Sequence, residues 1–271
     1  MANNLLAGKT GIVFGALDEN SIAWKVAEEA HAEGAKIMLT NAPVALRMGQ
    51  INALAEKIGA QVVPADATSL DELNALFDAA EAEFGKIDFV LHSIGMSPNV
   101  RKKREYTNLN YGWLDKTFDV SAISFHKIMQ LLYKRDLMND WGSILALTYV
   151  AAQRTFSEYN DMADAKALLE SFARSFGYHF GKKSNVRVNT ISQSPTPTTA
   201  GTGVSGFDKM LSYGALMSPL GNATADDCAK YCVMMFSDYT RRITMQNLFN
   251  DGGFSSMGIS ADMFEHFNPE G

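Results

Sequence analysis

Short apolar runs alternate along this chain with longer segments whose apolar residues recur at helical spacing. The runs "TGIVFGA" (10 to 16), "AKIMLT" (35 to 40), "AQVVPAD" (60 to 66), "IDFVLHSIG" (87 to 95), "GSILALTY" (142 to 149), "VRVNTIS" (186 to 192) and "TMQNLFNDGG" (244 to 253) predict seven strands. Helices are predicted between them at 21 to 34, 44 to 58, 69 to 84, 111 to 138, 157 to 181 and 224 to 237. Parallel neighbours need crossovers, and those crossovers are right-handed helices lying on both faces of the sheet. The expectation is therefore an α/β fold: a single doubly wound (Rossmann-type) domain with a seven-stranded parallel sheet flanked by helices. No Pro/Gly/Ser-rich linker and no internal repeat divides residues 1–271. Ligands of such sheets sit beyond the carboxyl ends of the strands, so chemistry is sought in the loops after positions 14, 40, 65, 93, 148 and 192.

Composition narrows the function classes. A net charge of −6 speaks against general affinity for nucleic acid or anionic membrane. No stretch approaches the ~20 apolar residues that span a bilayer, and "MANNLLAGKTGIVFGAL" has no basic start of the kind a signal peptide needs. A cytoplasmic location is expected. Cys228 and Cys232 are spaced i, i+4 in "DDCAKYCVMMF" with no third ligand nearby, so they read as reduced core thiols and no metal site is expected.

Chemistry begins at the first strand-to-helix turn, "GALDENSIAWKVAEEA", which keeps Gly15 but lacks the later glycines of a dinucleotide fingerprint. Ser21 stands at the mouth of the helix, where its hydroxyl and the neighbouring N–H groups suit a pyrophosphate. Asp18 and Glu19 lie in the same loop. Asp66 closes the third strand, where a carboxylate suits an adenine amino group. Ser93 and Gly95 end the fourth, and small residues there let backbone approach a cofactor. His92, inside that strand, reads as a buried, hydrogen-bonded histidine. "TNAPVALR" after the second strand offers no acid for a ribose 2′-hydroxyl, and Arg47 on the next helix is placed to reach a 2′-phosphate.

Two tyrosines precede Lys166 at usable positions, Tyr149 at the end of the fifth strand and Tyr159 in the first turns of the following helix. Seven residues of helix are about two turns, which puts Tyr159 and Lys166 on one face roughly 10 Å apart along the axis. The position four before Lys166, where a closer phenol would stand, is Met162.

Taken together, the tyrosine and lysine with six residues between them, "GALDENSIA", "HSIG" and the late "DGGF" resemble the enoyl-acyl carrier protein reductases, a divergent branch of the short-chain dehydrogenase/reductases. The resemblance runs from about residue 5 to 257. It implies that Gly15, Ser21 and Ile22 form the cofactor turn, Asp66 and Ala67 the adenine end, and Ser93, Ile94 and Gly95 the fourth-strand turn. It further implies that Tyr159 is the catalytic tyrosine, Lys166 the catalytic lysine that also holds cofactor, and Tyr149 an inner active-site tyrosine. Substrate would meet Met96, Tyr149, Tyr159, Met162, Phe207 and Met210, while "SQSPTPTTAGTGVSGFDKML" supplies nicotinamide contacts at Thr196 and Thr198 and a lid at about 196–214. Gly201, Gly203 and Gly206 give that lid a hinge. NADH is the implied cofactor rather than NADPH, an acyl carrier protein bearing an enoyl thioester the partner, and a homotetramer the assembly. The basic loop Arg101, Lys102, Lys103, Arg104 reads either as a solvated surface or as a contact for the acidic carrier or its phosphopantetheine phosphate. The competing readings are a carbonyl reductase or hydroxyacyl dehydrogenase of the same superfamily and a nucleotide-sensing scaffold without turnover.

Overall fold

A computed structural model describes residues 3–199, 201–202 and 206–267. Seven strands form one parallel sheet: β1 (Thr10–Phe14), β2 (Lys36–Thr40), β3 (Gln61–Val62), β4 (Ile87–His92), β5 (Met138–Thr148), β6 (Arg187–Gln193) and β7 (Asn247–Asn250). Their order is β3-β2-β1-β4-β5-β6-β7, so the winding reverses between β1 and β4. Their carboxyl ends diverge there and leave a crevice.

Successive strand residues face opposite sides of the sheet and build two cores. Val13, Leu39, Phe89 and Leu145 pack with Trp24 and Val26 of α1 (Ile22–Ala32) and with Cys228, Cys232 and Phe236 of α10 (Ala225–Phe236). Ile12, Phe14, Met38, Val90 and Ile144 pack with Phe77 of α4 (Leu70–Phe84), Phe125 of α7 (Ser124–Arg135) and Leu169 of α8 (Asp161–Ser184). Both cysteines are free, buried thiols, as their spacing suggested. Among the described residues no helix is long and apolar enough to cross a membrane.

Several element boundaries differ from the sequence pattern for identifiable reasons. The helix expected over 44 to 58 is two, α2 (Pro43–Met48) and α3 (Ile51–Ile58), because the chain between them folds onto the β1–α1 turn. A Cβ at Gly49 would lie 2.6 Å from the Leu17 carbonyl oxygen, and that oxygen accepts the Gln50 N–H at 2.8 Å. The long helix expected over 111 to 138 is α6 (Tyr111–Phe118) and α7 joined by a π turn at Asp119–Ile123. Before α6 lies the short α5 (Pro98–Arg101). The expected helix start at 157 moves to Asp161, because Asn160 takes φ 54° and ψ −139° and breaks the helical run. Tyr159 therefore belongs to a turn, and the two-turn helical separation from Lys166 does not apply. The expected strand over 244 to 253 is only Asn247–Asn250, since Met245 has φ 62°. Last come α9 (Phe207–Met217) and α11 (Ala261–His266), whose Ser260 cap donates its hydroxyl to the Leu216 carbonyl at 2.6 Å.

Candidate active site

The β1–α1 turn is shaped by crowding at the switch point. Gly15 has φ 99°, and a Cβ there would run into the carbonyl of Ser93 at the end of β4. Ser21 occupies the N-cap position at the mouth of α1, and its hydroxyl makes no capping bond to the helix. It donates to the Asp18 carbonyl at 2.7 Å and accepts the Leu17 N–H at 3.2 Å, so it braces the loop. The first N–H groups of α1, beginning at Ile22, lie at the positive end of a helix with no acid in its first turn. Asp18 is not left to solvent. Its carboxylate accepts the Asn20 N–H at 3.0 Å and the Thr199 hydroxyl at 2.5 Å, tying the turn to the segment before α9.

At the end of β2, Asn41 donates its amide to the Ala16 carbonyl at 3.0 Å, and Arg47 is exposed one helix away. After β3, the Asp66 carboxylate accepts the N–H and hydroxyl of Thr68 at 2.9 and 2.8 Å, beside Asp119 and Lys116. Ala67 is buried in the core. His92 is fully buried, with Nε2 2.9 Å from the Ser124 hydroxyl, and that hydroxyl spends its own proton on the Val120 carbonyl at 2.7 Å. Burial, and then the nearby Lys166, lower its pKa to about 3, so the ring is neutral and structural.

The remaining site residues meet in one cavity of about 200 Å³ at the switch point. Ile22, Ser93, Ile94, Gly95 and Met96 form one wall, and Thr196, Thr198, Phe207 and Met210 another. Tyr149, Tyr159, Met162 and Lys166 complete it. A Cβ at Gly95 would stand 3.7 Å from Lys166 Nζ, so the glycine keeps this floor open rather than relieving a clash. Leu211, next to Met210 on α9, does not line the cavity; its carbonyl accepts the Asn222 amide at 2.7 Å. Gly203 falls outside the described residues, while Gly206 has φ 72°. A larger hollow of about 870 Å³ lies on the other side of the Tyr159 turn, between 103 to 107 and 151 to 158, and contains none of the strand-end groups.

Within the cavity the Tyr149 and Tyr159 rings tilt against each other, centroids 5.0 Å apart. Desolvation raises the pKa of both phenols, so each is a protonated donor at any physiological pH. Lys166 is buried and donates to the Leu147 carbonyl at 2.7 Å, leaving two of its three protons for a ligand. Burial lowers its pKa to about 8, and Glu170 one turn on pulls in the opposite direction. Sequence reasoning missed Glu170, although its i+4 spacing from Lys166 was visible. Its buried carboxylate accepts the Thr148 hydroxyl at 2.9 Å and the Gln153 amide at 3.1 Å. It also missed Gln193, whose amide group donates to Thr196 and to the Ala223 carbonyl and accepts from Asn250, fixing the turn after β6. A lone strand-end glutamine carries no sequence signal.

A parallel sheet with this order, a helix N-terminus at its switch point, and a tyrosine and lysine beyond β5 define a dinucleotide-dependent oxidoreductase of the short-chain dehydrogenase/reductase type. The family model described as Enoyl-(Acyl carrier protein) reductase matches residues 15–255. An NADH enoyl-[acyl-carrier-protein] reductase of Rhizobium meliloti is 32% identical over 255 residues, 93% of this chain and 94% of its own length. That of Rickettsia typhi is 32% identical over 96% of this chain and 99% of its own. Among solved structures, the FabI–NADH complex of Alistipes finegoldii superposes with a TM-score of 0.96 at 61% identity, covering 98% of this chain and 94% of that one. The NADH enoyl-acyl carrier protein reductase of Aquifex aeolicus gives 0.88 at 30%, covering 94% and 99%. The chain belongs to the enoyl-acyl carrier protein reductase family.

Proposed function

We propose that this protein reduces the 2,3 double bond of enoyl-acyl carrier protein thioesters with NADH, in the fatty acid biosynthesis of the cytoplasm. The observation that carries this is the placement of the phenol. Met162 fills the position four before Lys166, and the phenol of Tyr159, on the turn before Asn160, enters the cavity beside that of Tyr149. In a conjugated thioester the oxygen that gathers charge lies farther from the hydride acceptor than in a ketone, and an outward donor suits it.

The residues present suit the cofactor: a helix N-terminus without acids in its first turn suits a pyrophosphate, and the spare protons of Lys166 suit ribose hydroxyls. NADH supplies the hydride. Tyr159 donates its O–H to the thioester oxygen as enolate charge develops, in the manner of an oxyanion hole. Lys166 would hold the nicotinamide ribose and add a positive charge close to that oxygen. Tyr149 packs on Tyr159 and orients it. For the rival carbonyl reductase, the hydroxyl of Thr148 would have to reach substrate, but it is spent on Glu170. Purified protein with NADH and either a crotonyl or an acetoacetyl thioester separates the readings. Cofactor oxidation with the crotonyl thioester alone is expected, oxidation with acetoacetyl alone would favour the rival, and oxidation with neither would favour the scaffold.

Arg101 lines the active cavity and Arg104 borders the larger hollow beyond Tyr159. Among the described residues, none of Arg101, Lys102, Lys103 or Arg104 makes an ion pair. This unpaired charge suits the phosphate of the carrier's pantetheine arm. The assembly is a homotetramer, for which light scattering at micromolar protein is the check; a monomer would reject it.

The segment 196–214 acts as the lid. Phe207 is buried and faces the cavity with Met210, so α9 covers the site where an acyl chain would lie. Closure excludes water and strengthens the Tyr159 hydrogen bond. Hydrogen exchange across 198 to 211 is expected to slow when NADH and an apolar ligand bind together, and exchange that both ligands leave unchanged would refute the lid.

A further inference from the structure

Asp161 is completely buried one residue after the strained turn at Asn160, and it has no cation partner among the described ion pairs. Its carboxylate instead gathers three neutral donors, two from the start of α5 and one from α6. The Ser97 hydroxyl reaches Oδ1 at 2.6 Å and the Asn99 amide reaches Oδ2 at 2.8 Å, while the Thr117 hydroxyl shares its one proton between Oδ2 at 3.0 Å and the Trp113 carbonyl at 2.8 Å. The orientation of two of these donors is fixed elsewhere. Ser97 accepts the Val100 N–H at 3.0 Å as the cap of α5, so its proton is free to go to Asp161. Asn99 accepts the Asn110 N–H through Oδ1 at 3.1 Å, which turns its NH₂ toward the carboxylate.

These contacts clamp the Tyr159 turn. The Asn160 side chain holds the 97 to 104 segment through a bond to the Arg104 carbonyl at 2.6 Å, while its own Oδ1 is buried without a partner. The conformation at Asn160 is one that L residues rarely adopt and that persists only when its surroundings over-determine it. Asp161 supplies that constraint from the adjacent position. Met96, Ser97 and Val100, on the segment it grips, line the cavity wall facing Tyr159. Resting on the reading of Tyr159 as the donor to the enolate oxygen, we propose that Asp161 is a positioning residue: its buried carboxylate locks α5 and α6 to the start of α8 and thereby sets the Tyr159 hydroxyl relative to the substrate.

The test is a double-mutant cycle in the full-length protein with NADH and a crotonyl thioester. Asp161→Asn preserves size but offers one acceptor in place of two and sets its NH₂ against the fixed NH₂ of Asn99. The expected result is a kcat lowered about tenfold or more, since small misplacements of a reacting group cost that much, with the NADH dissociation constant unchanged. In the Tyr159→Phe background the same change is expected to lower kcat less than about twofold, because the group it positions is gone. Equal losses in both backgrounds, or an unaffected kcat in the folded single variant, would overturn the proposal. Should Asp161→Asn not fold, Thr117→Val removes one donor and keeps the carboxylate. A loss of about fivefold is then expected with Tyr159 present and no change in the Tyr159→Phe background, and equal effects would again overturn the proposal. Full turnover by Tyr159→Phe alone would instead refute the assignment of Tyr159, and the role of Asp161 with it.

Discussion

Tyr159→Phe is expected to lower turnover of an enoyl thioester by about 10²- to 10³-fold, the usual cost of one oxyanion donor, while leaving NADH affinity nearly unchanged. The substitution removes one oxygen and little else. The ring keeps its contact with Tyr149 and its place beside Val100, Met162 and Phe118. Among the described residues the hydroxyl has no hydrogen-bond partner, so its removal strands no protein group. What disappears is a protonated donor, held so by desolvation, aimed into the cavity. Stopped-flow turnover paired with NADH titration by fluorescence checks this; a dissociation constant that rises in step with the loss of turnover would move Tyr159 from chemistry to cofactor binding.

Lys166→Ala is expected to act in the opposite order, weakening NADH by about tenfold or more, the scale of a lost hydrogen bond from a charged group, with turnover falling as a consequence. The wild-type protein should reveal the same group through pH. Its amine has a pKa of about 8 in the folded protein against 10.5 in the unfolded chain. The ammonium is therefore lost as pH rises through about 8, and NADH affinity should decline there in the wild type but not in Lys166→Ala. Stability moves the other way. Between about 8 and 10.5 the unfolded chain binds more protons than the folded one, so this group's burial penalty is relieved as pH rises. Unchanged NADH affinity in Lys166→Ala, or the same pH dependence in both proteins, would contradict the assignment.

The sheet was legible because β1, β2 and β4 are apolar over most of their length and the helices carry periodic faces. Local pattern failed where distant backbone decides the conformation. α2 ends at Gly49 because Leu17, thirty-two positions earlier, leaves no room for a side chain there and takes the next N–H, that of Gln50, on its carbonyl. α8 starts late because Asn160 adopts a left-handed φ, and its side chain is bonded to the Arg104 carbonyl, fifty-six positions earlier. The site was legible in part. Tyr159, Met162 and Lys166 do meet in one cavity, but spacing alone left Tyr149 and Tyr159 both open, and it was the wider resemblance that separated them. Ser21 stands at the mouth of α1 as its position suggested, while its hydroxyl bond to the Asp18 carbonyl is a matter of loop geometry that the residue type alone does not specify. Glu170, Gln193 and Asp161 work through side-chain networks across elements, which no linear motif encodes.

The central claim is that hydride goes to the β-carbon of an enoyl thioester whose oxygen is held by Tyr159. The most direct measurement uses NADH deuterated at the transferring position and mass and NMR analysis of the acyl product. A saturated acyl thioester with one deuterium on C3 and a solvent-derived proton on C2 is the predicted result. A 3-hydroxyacyl product, or deuterium on C2, would contradict it.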